Sequence, residues 1–358
     1  MTGPRIAAFV SPHGFGHAAR SSAVMLEAAR AGGAAFDIFT TAPKWFFEES
    51  LGDRFAYHEE VVDVGFRQRS ALHANVPATV EALRNLLPFD ADRVRHIAER
   101  VKAAGCRAVL CDIAPLGIAV AEAAGLPSLL LENFSWGWLY EPYLGDEAAL
   151  GALGEELDRW AAAATVHIQA RPMCVRDEAL RAVDPIGRPP RRDRETTRRE
   201  LAIPESATLV VVTMGGYAED LSYVPRLRDV PDAHFLVTGA TRTEAGANLH
   251  FFDNATPLYM PDVLEAADAV VAKLGYGMVS EVWRSGLPFA QVTRPGFREM
   301  ASLERFAADE LSGFLMDAGA FSRGEWIARL PELLDMPRRP HAGGGAREVA
   351  DALLRLAV

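Results

Sequence analysis

Lysine, cysteine and long apolar runs are what this chain has little of. Only three lysines occur, Lys44, Lys102 and Lys273, in 358 residues that carry 37 Lys and Arg against 48 Asp and Glu. The resulting net charge of −11 argues against a nucleic-acid partner held by general electrostatics, while leaving room for a local basic pocket. The three cysteines, Cys106, Cys111 and Cys174, are odd in number and lack metal-ligand spacing. They read as reduced thiols of a cytoplasmic protein, with no disulfide framework and no metal site. No apolar run reaches the roughly 18 residues that a membrane span needs. A peripheral membrane contact is compatible with the composition. Residues 5 to 11 are too short for the core of a signal peptide and read as a strand.

What is present is alternation. After that first strand come a glycine-rich turn, Pro12-His13-Gly14-Phe15-Gly16-His17, a helix over residues 18–31 closed by Gly32-Gly33, and a strand over 36–40. Further strands are expected at 55–64, 106–112, 126–131 and, last in this half, 166–169. Helices are expected at 78–87, 90–104, 115–124 and 147–165. A Pro- and Gly-rich stretch over 183–190, followed by a charged run, marks a boundary between domains 1–187 and 188–358. The alternation then restarts, with strands at 208–213, 233–237, 269–272 and 287–292 and helices at 262–267, 278–285, 299–311 and 347–356. The helix near 346–358 is a candidate to pack back on the first domain. The fold class is α/β: two Rossmann-like doubly wound domains facing each other across a cleft, with ligands at the C-terminal ends of the strands.

The stretch from Ala272 to Glu281 carries the strongest chemical signal. A buried strand end runs into Gly275-Tyr276-Gly277 and then a helix. Unpaired N–H groups and a positive dipole end at such a helix start suit a phosphate. Lys273 could add a full positive charge, and Glu281, one turn in, could accept hydrogen bonds from a ribose diol. Gly215-Gly216 forms a second turn of the same kind. The plain alternatives are packing turns, and for Glu281 an exposed helix residue. The run 191–199 reads as a solvated helix face, with anion binding as the alternative. Phe134, Trp136 and Trp138 are either core or a surface on which a ligand stacks.

His13-Gly14-Phe15-Gly16-His17, the two-domain plan and the Gly275–Glu281 element with Gly286-x-Pro288 together resemble the GT-B glycosyltransferases. The second half is similar to the bacterial MurG transferases. Through Gly14-Phe15-Gly16-His17-Ala18-x-Arg20, Asp112-x-x-Pro115, Asn133-Phe134-Ser135-Trp136 and Lys273-x-Gly275-Tyr276-Gly277-x-Val279-Ser280-Glu281, most of the chain resembles the glycosyltransferase-like N-terminal half of plant L-arabinokinases and bacterial relatives. The resemblance implies a metal-independent inverting glycosyltransferase that moves a sugar from a nucleotide-diphospho-sugar, of the UDP type, to a hydroxyl acceptor. The partners are then small molecules, with no cofactor beyond the donor substrate itself. It implies His17 as the base that deprotonates the acceptor, with Asp112 orienting it. His13 is the alternative base or an acceptor contact, and an N-cap for the helix near Pro115 is the alternative role of Asp112. Donor contacts carried over are Gly14, Gly16, Gly215, Gly216, Met260, Lys273, Gly275, Tyr276, Gly277 and Glu281. Acceptor contacts are His13, Phe134 and Trp136. Beyond Pro288 the usual Asp-Gln or Gln-Gln pair is replaced by Arg294-Pro295-Gly296-Phe297-Arg298-Glu299, so Arg298 and Glu299 are the candidates to hold the donor sugar. Two rival readings share the architecture: a nucleotide-sugar epimerase or hydrolase, and a sugar-nucleotide-binding protein without catalysis.

Overall fold

The computed structural model describes residues 3–70, 73–215, 222–240, 244–253 and 258–358. The chain divides into two compact units, one of residues 1–67, 74–186 and 343–358, the other of residues 68–73 and 187–342. The division after Ile186 falls in the Pro- and Gly-rich stretch. The last sixteen residues belong to the first unit.

The first unit is built on seven parallel strands: β1 (Arg5–Val10), β2 (Ala35–Thr40), β3 (Phe55–Glu59), β6 (Cys106–Asp112), β7 (Ser128–Glu132), β8 (Val166–Ala170) and β9 (Arg181–Val183). Their order in the sheet is β3-β2-β1-β6-β7-β8-β9. Two short strands, β4 (Gln68–Ser70) and β5 (His73–Ala74), form a separate sheet. Ile6, Ala8 and Val10 enter one core, shared with the helices α1 (Phe15–Gly32) and α2 (Lys44–Leu51) and with the C-terminal helix α15 (Ala346–Leu356). Ala7 and Phe9 point to the opposite core, beneath α4 (Ala91–Ala103) and α5 (Leu116–Ala124). Helices on both faces explain why these strands read as unbroken apolar runs. The remaining helices of this unit are α3 (Val76–Leu86), α6 (Trp136–Tyr140) and α7 (Ala149–Ala162). α15 lies along α1, and a side-chain carbon added to Gly32 would come within 2.7 Å of Leu354. That close approach is what the glycine at this position permits.

The second unit repeats the plan. Its strands are β10 (Thr208–Thr213), β11 (Ala233–Ala240), β12 (Glu244–Ala245), β13 (Leu249–Asp253), β14 (Ala269–Lys273), β15 (Phe289–Val292) and β16 (Gly313–Met316). They are ordered β12-β13-β11-β10-β14-β15-β16, all parallel except the β12–β13 pairing. Its helices are α8 (Arg194–Glu200), α9 (Val224–Leu227), α10 (Met260–Ala266), α11 (Tyr276–Ser285), α12 (Met300–Glu310), α13 (Ala318–Ser322) and α14 (Leu330–Leu334). No described helix is long and apolar enough to cross a membrane.

Several expectations need correction. β3 ends at Glu59, not at residue 64, because Val62 and Asp63 are buried in the loop that follows it. β8 is not the last strand of its half, since β9 adds an edge beyond it. β13 and β16 were not expected either. The charged run is not a solvated face throughout. Arg198 is 1% exposed and donates to the carbonyls of Ala266, Pro204 and Ala207 and, at 2.7 Å, to Asp268. A buried cation has been placed where the last carbonyl of α10, carbonyls of the loop before β10 and a carboxylate converge. Replacing it leaves those acceptors without a donor, so R198A is expected to lower the unfolding free energy by about 3 kcal/mol. Urea titration followed by far-UV circular dichroism measures this, and a change under about 0.5 kcal/mol contradicts it.

Candidate active site

Each unit gathers its chemistry at the C-terminal edge of its sheet. In the first, β1 leads through Ser11 into the turn 12–14, where Gly14 adopts φ 77° as the N-cap of α1. That positive φ is open to glycine and strained for other residues. His17 is the third residue of the helix and 8% exposed. Its Nδ1 lies 2.9 Å from Asp112 Oδ1 at the end of β6. Asp112 is wholly buried and cannot be a helix cap, because the helix it precedes is capped at Pro115 without any side-chain hydrogen bond. Instead it accepts from Arg20 Nε at 3.0 Å, from Arg20 Nη2 and from Ser21 Oγ at 2.7 Å. Burial alone would raise this carboxyl. The Arg20 charge, with hydrogen bonds from His17 and Arg20, overrides burial and holds Asp112 well below the usual carboxylate range. A carboxylate that stays ionised can only accept, so His17 donates to it through Nδ1–H, and in the neutral imidazole this tautomer puts the lone pair on Nε2.

The next residue, Ile113, has φ 47°, a conformation costly for a β-branched side chain. Its carbonyl accepts from Trp136 Nε1 at 3.0 Å. Backbone strain directly after Asp112, held in place by a buried indole, fits a position fixed for function rather than for folding alone. Around this centre Arg20 Nη1 donates to Asn133 Oδ1, and Asn133 Nδ2 donates to the Ala170 and Pro172 carbonyls. Ser11 Oγ donates to Asp63 Oδ2 at 2.6 Å. Burial pushes Asp63 up to about 7, against the opposing hydrogen bonds from Ser11, the Val64 and Gly65 backbone and Trp136. His13 is half-buried, packed on Gly65 and edge-on to Trp136 at 5.8 Å.

Two of the residues assigned to the acceptor are packed inside the first unit. Phe134 and Trp136 are 6% and 1% exposed and pack edge-on against each other. Both belong to the buried hydrophobic residues. Trp136 is tied through its indole N–H to the Ile113 carbonyl. Gly14 and Gly16 shape the turn and first turn of α1.

In the second unit, β14 ends at Lys273, paired in register with Val292 of β15. A side-chain carbon added to Gly215, which has φ 71°, would lie 3.4 Å from Lys273 Nζ, so the ammonium rests against the bare backbone of that turn. Gly216 lies outside the described residues. α11 starts at Tyr276 and Gly277, with Gly275 as N-cap and no side chain capping it. Glu281 is not an exposed helix residue: it is 6% exposed, and Arg188 Nε donates to its Oε1 at 2.9 Å. It lines a crevice of about 160 Å³ together with Arg188, Pro261, Leu264, Arg284 and His341. Tyr259, the N-cap of α10 before Met260, donates its hydroxyl to the Pro189 carbonyl at 3.0 Å. The Arg191 guanidinium covers its ring at 3.7 Å. After β15, Glu299 is buried and paired with Arg294 at 2.9 Å, while Arg298 is half-buried. Among the described residues, no three His, Cys, Asp or Glu side chains are placed to hold a metal ion.

The residues that sequence reasoning left without a role are Arg20, Ser21 and Asn133 around Asp112, and Arg188 on Glu281. Spacing held a usable signal for the first two. His17, Arg20 and Ser21 stand at i, i+3 and i+4, on one helix face.

No family model matches the chain. Its sequence is 26% identical over 357 residues to an L-arabinokinase of Arabidopsis thaliana, covering 97% of this chain and 34% of the relative's length. Solved structures share the fold. They include MurG of Acinetobacter baumannii (TM-score 0.55, 16% identity, 98% of this chain and 99% of that one) and LpCGTa in complex with UDP (0.61, 14%, 100% of both). A third is Phytolacca americana UGT2 complexed with UDP-2fluoro-glucose and pterostilbene (0.60, 13%, 99% and 94%). The two Rossmann-like units are therefore those of the GT-B glycosyltransferase fold.

Proposed function

We propose that the protein is an inverting glycosyltransferase that moves a sugar from a nucleotide-diphospho-sugar, of the UDP type, to a hydroxyl acceptor. The observation that carries this reading is the 2.9 Å hydrogen bond from His17 Nδ1 to a buried, ionised Asp112. It leaves Nε2 as a proton acceptor at the start of α1. His17 takes the acceptor's hydroxyl proton while that oxygen bonds to the anomeric carbon. The bond from that carbon to the diphosphate oxygen breaks, and the charge that develops on the leaving group is met by Lys273 and the uncapped N–H groups of α11. Glu281 receives the ribose diol from the crevice side, sharing its carboxylate with Arg188. Arg298 and the Arg294–Glu299 pair hold the sugar. The fold shared with structures that carry UDP or a UDP-sugar supports a UDP-type donor.

A panel of nucleotide sugars tests the reading. Thermal shift identifies the donor, and release of nucleoside diphosphate is then followed with and without candidate hydroxyl acceptors. Acceptor-dependent release is expected. Release that ignores the acceptor, or appearance of an epimer, sends the assignment to a hydrolase or epimerase. No shift with any nucleotide sugar or nucleoside diphosphate removes the donor site altogether.

A further inference from the structure

We infer that Arg20 is a positioning residue of the His17–Asp112 pair: its guanidinium locks the carboxylate in place and takes up its charge, so that the imidazole is oriented by an acid whose charge is already balanced. The inference rests on the reading of His17 as base. Arg20 grips both oxygens of Asp112, Nε on Oδ2 and Nη2 on Oδ1, and its third nitrogen is anchored on Asn133. A planar fork used at both prongs leaves the carboxylate no freedom to rotate away from His17. All three side chains are buried. In an isolated histidine–carboxylate pair the buried negative charge is balanced only when the imidazole takes up a proton. Here Asp112 and Arg20 already sum to zero, and Arg20 Nη2 sits 3.4 Å from His17 Nδ1. A proton captured by Nε2 therefore creates a cation beside a cation, and it is passed on rather than held. Orientation is kept, while trapping of the protonated base is avoided.

The charged groups that reach His17 are Arg20 from its own helix and Asp112 from β6; Asn133, from the segment after β7, is neutral. Asp63, from the loop after β3, contacts Ser11, and His13 lies in the preceding turn.

The test needs no substrate. Protein labelled with 15N-histidine, with the His17 signals assigned by their loss in H17Q, is followed by long-range proton–nitrogen spectra between pH 5 and 9. The wild type is expected to show the Nδ1–H form. In R20M, and in R20Q should R20M not fold, the unbalanced carboxylate stabilises the imidazolium, and the His17 titration midpoint moves up by about one pH unit or more. R20K keeps the charge without the fork, and its midpoint stays near that of the wild type. A midpoint within about 0.3 unit of the wild type in whichever neutral variant folds overturns the role given to Arg20. That result would leave the transferase reading untouched, since the latter stands or falls on acceptor-dependent turnover.

Discussion

Replacing His17 with alanine is expected to lower acceptor-dependent release of nucleoside diphosphate by about 10² to 10⁴-fold, the usual contribution of a positioned general base. Binding of the nucleoside diphosphate is expected to stay within about twofold of the wild type, because the side chains assigned to the donor belong to the second unit and the first unit contributes only the backbone of Gly14 and Gly16, which H17A leaves in place. The variant is a clean probe for a structural reason. Removing the imidazole does not strand Asp112, which keeps Arg20 on both oxygens and Ser21 on one. The fold should therefore survive with a loss of about 1 kcal/mol. D112N is a poorer probe, since it takes the counter-ion from a buried guanidinium and is expected to cost about 3–5 kcal/mol of stability. Initial rates at saturating donor and acceptor, beside a calorimetric titration with UDP, separate the two effects. Full turnover in H17A would mean that His17 is a structural hydrogen bond of the turn, and the base would have to be sought elsewhere, first at His13.

Much of the fold could be read from the residues because its central strands are covered on both sides. β1, β6, β10 and β14 are apolar almost without interruption, and the glycines that end α1 and α11 adopt the left-handed conformation that stops a helix. The strands that were missed lie at or near the edges of the sheets. β9 is Arg181-Ala182-Val183, and β13 has His250 among its apolar residues and ends on Asp253, so neither forms a run that stands out from a loop. The site divides in the same way. The Lys273–Glu281 element is local, a strand end, a turn and a helix start, and its residues announce it. Pairings across the fold leave no local trace. Arg20 meets Asp112 from 92 residues away, and Arg188 meets Glu281 from 93. Composition is blind in another respect: Phe134 and Trp136 look the same in sequence whether they form a platform or a core, and only their burial decides it.

Lys273 is expected to matter as much to the donor as His17 does to the acceptor. K273A should weaken UDP binding by about 10- to 100-fold, matching the roughly 1.5–3 kcal/mol of a hydrogen bond to a charged group. Uridine, which lacks the diphosphate, should bind both proteins alike. The argument starts from placement. The ammonium rests on the Gly215 turn beside the start of α11, where no side chain caps the helix N–H groups. A diphosphate seated there meets one full positive charge together with the partial charge of the helix end, about half a unit. The helix contribution remains in K273A, which is why binding should weaken rather than vanish. In turnover the loss should be larger than in binding, by about a further tenfold, because charge on the leaving group grows as its bond to the sugar breaks. K273R tests geometry against charge: a guanidinium keeps the charge, but it is too wide to lie against the Gly215 backbone as the ammonium does. It should recover UDP affinity in part and turnover little. Calorimetry with UDP and uridine on the three proteins distinguishes these outcomes. Equal loss of uridine and UDP affinity would show that Lys273 supports the fold of the second unit rather than the diphosphate, and the assignment of this turn as a phosphate site would be withdrawn.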